Sequence, residues 1–123
     1  MAKVKTQIQL PIPILLNELY IPGIKNGKPF LRKNPEAKKY VELVKIEAIR
    51  QKVKYLKSKK LSFKMDILIK DRKDYDIDAV EKLTLDALEG IAYINDKYII
   101  EKISRKHLKA EDDKLIIQIE EIQ

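Results

Sequence analysis

The chain has no cysteine, a single histidine and only three glycines in 123 residues. Without cysteine there can be no disulfide, no thiolate zinc site and no thiol nucleophile, which makes a cytoplasmic address the expectation. His107 has no partner at ligand spacing, so it reads as a surface residue and argues against histidine-based acid–base or zinc chemistry. Gly23, Gly27 and Gly90 form no phosphate-cradling loop, so no nucleotide cofactor of the P-loop or Rossmann type is expected. No apolar run is long enough to span a bilayer and no charged-then-apolar leader opens the chain, so no membrane partner is expected either.

What is present is charge, unevenly spread. The chain is 45% hydrophobic and 37% charged, the balance of one globular domain over residues 1–123 with a true core and a dense ionic surface. Its formal net charge is +7. Residues 24–60 carry thirteen lysines and arginines against three glutamates, whereas residues 71–96 carry eight acids against three bases. Such segregation fits a footprint for a polyanion around a small acidic pocket. Taken one by one, the lysines also read as charges that solubilise helix faces.

Hydrophobic spacing gives the order of elements. Val4, Thr6, Ile8 and Leu10 alternate with polar residues as a half-buried strand does. Prolines and glycines between Pro11 and Pro29 then predict a long loop, carrying Asn17, Tyr20, Lys25, Lys28, Arg32 and Lys33 as contact residues. Asn34-Pro35-Glu36 has the form of a helix start, and the helix is expected to reach about Lys57. Ala37, Tyr40, Val41, Val44, Ala48 and Tyr55 fall on one side of it. Leu43, Ile46, Ile49, Val53 and Leu56 fall on the opposite side, which calls for a second apolar surface, most simply a partner subunit.

A strand over 61–69 runs straight into an acidic cluster, and a second helix follows from Ile77, with Gly90 placed for a left-handed turn after it. Strands are expected at 98–108 and 115–122, joined by a charged turn at 109–113. The order β-α-β-α-β-β argues for a small α+β domain with a four-stranded mixed sheet and two helices.

Asp71, Asp74, Asp76 and Asp78 lie within eight residues of a basic chain. Carboxylates are the hard ligands that Mg²⁺ prefers, together with water and substrate phosphate. Asp76 and Asp78 share a face if the chain is extended there, and their repulsion is relieved by a cation. The alternative is that Asp78 and Glu81 form a helix capping box. Lys82, one turn after Asp78, is either an i,i+4 ion-pair partner or a cation beside the metal that stabilises a phosphate under attack. Asp86 continues that row as a solvated partner. Asn95-Asp96 reads as a turn, from which Asp96 could reach a site at the preceding helix start. A divalent-metal nuclease is the leading reading. A non-enzymatic basic nucleic-acid-binding module, with the acidic cluster no more than a capped helix start, is the competing one.

The opening LPIPILLNELY, the later DIDAVEKLTLDALEG and the downstream YINDKYI together resemble the RusA-type Holliday-junction resolvases (crossover junction endodeoxyribonucleases) in order and spacing along nearly the whole chain. The resemblance implies metal-binding aspartates at Asp76, Asp78 and Asp96 and a catalytic lysine at Lys82. Ala79 stands where that family usually has asparagine, and Asn95 where it has the first of two acidic residues. The family's activity would be paired nicking of four-way DNA junctions in recombination and repair, by a Mg²⁺-dependent homodimer in which Mn²⁺ can substitute. Lys25, Lys28, Arg32, Lys33, Arg72 and Lys73 are the candidates for DNA-backbone contacts.

Overall fold

The computed structural model describes residues 4–13, 20–33, 35–70 and 76–122. In chain order its elements are β1 (Lys5–Leu10), β2 (Tyr20–Lys25), β3 (Lys28–Lys33), α1 (Pro35–Arg50), β4 (Leu61–Ile69), α2 (Ile77–Leu88), β5 (Ile99–Leu108) and β6 (Lys114–Glu121). Four of the strands make a mixed sheet in the order β1-β6-β4-β5, parallel between β4 and β5 and antiparallel elsewhere. This is the expected α+β arrangement of a four-stranded sheet with two helices.

The alternation in β4 explains where the core sits. Leu61, Phe63, Met65, Ile67 and Ile69 are all buried, while Lys64 between them is exposed. Ile8 pairs with Ile117, Ile117 with Met65, and Met65 with Ser104, so this row runs across all four strands on the covered face. Tyr40, Val44 and Ala48 of α1 and Val80, Ala87 and Leu88 of α2 join it in one hydrophobic cluster. Burial of each such large aliphatic side chain contributes about 1.5–3 kcal/mol. Between the parallel neighbours β4 and β5, α2 runs back along the sheet. Its first turn therefore follows the end of β4, and its last turn lies near the start of β5.

Two expectations need correction. The segment 20–33 is not a loop without secondary structure but a β2–β3 hairpin, a two-stranded sheet of its own. Lys25 and Lys28 pair across a two-residue turn in which Asn26 has φ 53° and Gly27 φ 76°. Asn-Gly is the pair best suited to a turn with two positive φ angles, because asparagine tolerates that region and glycine has no Cβ to clash. Pro22 and Pro29 are tolerated because each strand of a two-stranded ribbon has a free edge.

Helix α1 also stops at Arg50 rather than near Lys57. The Val53 N–H donates to the Ala48 carbonyl at 2.9 Å and the Lys52 N–H to the Ile49 carbonyl at 3.2 Å, with Lys52 at φ 57°. That pair of bonds around a left-handed residue is the Schellman ending, here made without glycine. Leu56 consequently leaves the helix's outer face and becomes fully buried, its N–H bonded to the Ala92 carbonyl. Of the second stripe, Leu43, Ile46 and Ile49 remain exposed on α1, the last two at 64% and 80%. The Gln51 side-chain amide bonds both the N–H and the C=O of Gln9, each at 2.8 Å, and so occupies the free edge of β1.

Candidate active site

The acidic helix start is built as follows. Asp76 is the N-cap of α2, in extended backbone, and its Oδ1 accepts the Asp78 N–H at 3.1 Å. The cap is therefore Asp76, and the alternative, a capping box between Asp78 and Glu81, is not formed. Asp78 stands in the first helical turn with its side chain exposed, where the helix dipole favours a negative charge. Asp71, Arg72, Lys73 and Asp74 lie outside the described residues, as do the side chains of Arg32 and Lys33 and all of Asn34.

Lys82 is exposed, and among the described residues it has no ion-pair partner, neither Asp78 nor Asp86. At about 100° per residue, Asp78, Lys82 and Leu85 fall within roughly 60° of one another on the flank of α2. Of these three, Leu85 meets the edge strand β5. Between Leu85 and the β5 residues Ile99, Ile100, Glu101 and Lys102 lies a groove of about 320 Å³, and Asp96 lines it too.

Asp96 opens a short 3₁₀ turn, Asp96–Tyr98, which Asn95 caps by accepting the Lys97 N–H at 2.9 Å. The turn expected at Asn95-Asp96 is thus present. Tyr93, fully buried, fastens this turn to α2 by donating its hydroxyl proton to the Leu85 carbonyl. Burial, aided by the nearby charges of Asp96, Glu89 and Asp86, pushes the Tyr93 phenol far above its usual range, so it stays a donor.

From Asp78 to Leu85 is seven residues, about 10 Å along the helix at 1.5 Å per residue. Asp96 therefore stands near the third turn of α2 rather than the first. Among the described residues no three acidic or histidine side chains are grouped closely enough to hold a metal ion. The donor chemistry suits a hard divalent cation, but these side chains do not by themselves complete a ligand cage.

Sequence reasoning does not single out Glu81 as a site residue. It is buried, 9% exposed, on the side of α2 that faces β5. Its Oε1 lies 2.5 Å from Lys102 Nζ, and its Oε2 accepts the Ser104 hydroxyl at 2.5 Å. Nothing in the local sequence announces this, because the partners come 21 and 23 positions later on another element. Lys25 and Lys28 are exposed at the hairpin tip, directly opposite each other. Like charges so placed repel, a cost that an incoming polyanion removes. His107 is exposed, as expected, and contacts Asp66 Oδ1 at 2.8 Å.

Among the described residues no helix is long and apolar enough to cross a membrane. Comparison with curated proteins finds no match. The family model described as endodeoxyribonuclease RusA matches residues 24–120, a span that includes the hairpin tip, α2, the Asp96 turn and β5. The chain belongs to the RusA endodeoxyribonuclease family, whose activity is that of a DNA endonuclease.

Proposed function

We propose that the protein is a homodimeric, Mg²⁺-dependent endodeoxyribonuclease that nicks opposing strands of four-way DNA junctions, with Asp76 and Asp78, at the start of α2, and Asp96, beside its later turns, as the carboxylates that would hold metal together with water and substrate phosphate. The observation that carries this reading is the flank of α2: exposed Asp78 at its start, Lys82 one turn on with no described partner, and Asp96 in the groove beside its later turns. Exposed carboxylates and an unpaired lysine within reach of one substrate suit phosphodiester hydrolysis. Mg²⁺ held there would supply a nucleophilic water and offset phosphate charge. Lys82, which forms no ion pair among the described residues, adds positive charge where negative charge develops on the phosphate. The hairpin tip, with Lys25 and Lys28, gives the backbone contacts that hold a junction without reading its sequence.

Dimerism draws support from α1. Leu43, Ile46 and Ile49 expose an apolar strip, and beside it lies a shallow depression of about 460 Å³ lined by Lys45, Ala48, Ile49, Lys52, Val53 and Ile91. A symmetric partner would cover the strip and supply the second cutting centre that paired nicking needs.

Capping of α2 by Asp76 favours a second reading, in which the protein binds branched DNA without cutting it. Incubation of a synthetic four-way junction and a linear duplex of the same sequence, with and without Mg²⁺, separates the two. Paired nicks in the junction alone, dependent on Mg²⁺, are expected. Binding with no cleavage at any Mg²⁺ or Mn²⁺ concentration would leave the binding module standing.

A further inference from the structure

We infer that Lys102 is a second DNA-contacting cation of this site, and that Glu81 is the residue that positions it. The inference rests on the reading of α2 and Asp96 as a nuclease site. Both oxygens of the Glu81 carboxylate are occupied, one by the Lys102 ammonium and one by the Ser104 hydroxyl, and both partners lie on the edge strand β5. The carboxylate is nearly sealed from water, whereas the Lys102 side chain is 46% exposed and lines the groove that holds Asp96.

An ion pair with its carboxylate buried is a poor way to gain stability, since apolar side chains of similar volume hold a helix to a strand at least as well. What the charged pair adds is placement. A lysine on an edge strand would otherwise sweep solvent on its flexible stem. Glu81 takes one of its three donors and leaves two for other acceptors.

The position is chemically apt. Asp96 lines the same groove and repels a phosphodiester backbone. A cation held on that groove by the second turn of α2 lets the backbone approach. Lys82 and Lys102 thus divide the work: Lys82, unpaired among the described residues, acts on the reacting phosphate, and Lys102, pinned by Glu81, holds a neighbouring one.

The double substitution Glu81→Gln with Lys102→Gln tests this, because it preserves hydrogen-bonding groups and net charge while removing the ammonium. Its affinity for a four-way junction should be measured against salt concentration without divalent metal, alongside its thermal unfolding and its single-turnover cleavage in Mg²⁺. The expected result is an unchanged unfolding midpoint and a salt slope smaller by about one unit for each phosphate left without its lysine. Affinity should fall roughly tenfold at moderate salt, with the rate on saturating junction largely kept. Lys102→Arg, which retains charge and reach, should restore the slope. A wild-type slope in the double variant would make the pair a helix-to-strand staple and overturn the inference. Glu81→Met with Lys102→Met, an apolar pair that leaves no carboxylate unpartnered, is measured alongside, and failure of both variants to fold would overturn it as well. If the wild-type protein neither binds nor cuts the junction, the nuclease reading itself fails; if it does both and the double variant matches it, only the role of Lys102 falls.

Discussion

On α1 two ion pairs form along the helix itself. Glu47 meets Arg50 at 2.5 Å and Glu42 meets Lys45 at 3.9 Å, both three residues apart, and Glu47 also accepts the Gln51 amide. On α2 the spacing offers Asp78–Lys82 and Lys82–Asp86, four apart, yet among the described residues neither pair forms. Its one paired charge among those residues is buried Glu81, and that pair leaves the helix for β5. Local ion pairs on a solvated helix contribute only a few tenths of a kcal/mol, so pairing on α1 is what charges do when nothing else is asked of them. Charges held apart on a flank, next to a groove, are available to a substrate instead.

The largest effects should follow from changes to that flank. Asparagine caps a helix as well as aspartate does, so Asp76→Asn should leave α2 intact and remove only the carboxylate charge. Asp76→Asn and Asp78→Asn are each expected to lower single-turnover cleavage by about a hundredfold or more, with junction binding little changed. Lys82→Ala should do the same to the rate at saturating DNA, because its charge is wanted chiefly in the transition state. Near-normal cleavage by Asp76→Asn would assign that residue to capping alone. A Lys82→Ala protein that loses affinity but keeps its rate would make Lys82 a binding residue and erase the distinction from Lys102.

A smaller effect, on assembly rather than chemistry, tests the outer face of α1. Replacing Ile46 and Ile49 together by glutamate puts two charges where a partner subunit would cover apolar surface. Both are mostly exposed in the single chain, so its unfolding midpoint at low concentration should hold. The expected outcome is a dimer by light scattering for the wild-type chain and a monomer for the variant, with loss of paired nicking. An unaltered mass would move the dimer interface elsewhere.

Much of the architecture can be read from alternation alone. β4 and β6 carry a period of two so regular that it places their boundaries within about a residue, and α2 begins at Ile77 as expected. The β2–β3 hairpin is hidden because prolines at 22 and 29 outweigh the Asn26-Gly27 turn between them, although that dipeptide is the available signal. The end of α1 is less legible: helical spacing continues through Val53 and Leu56, and the stop is made at Lys52, a residue with no intrinsic preference for positive φ. At the site, the acidic cluster is visible because four aspartates in eight residues are improbable in a basic chain. Glu81 is not, since a charge is recognised as buried only when its distant partners are known.

The smallest effect should come from the best-formed exposed pair. Hydrogen bonding to Arg50, and after it to Gln51, holds the Glu47 carboxyl below its usual range against slight desolvation. A carboxyl whose value is lower in the folded than in the unfolded chain stabilises the fold above the unfolded value, and that contribution disappears as pH falls through the folded one. Any benefit of the pair is therefore complete at neutral pH and gone in acid. Because Arg50 stands mostly in water and Glu47 is only half-buried, screening leaves little of it to measure. Arg50→Gln should unfold at the wild-type temperature in acid, differ from it only marginally at pH 7, and cut junctions at the wild-type rate. A substantial loss of stability or cleavage would mean that the charges of α1 are not the idle ones, and the contrast with α2 would have to be redrawn.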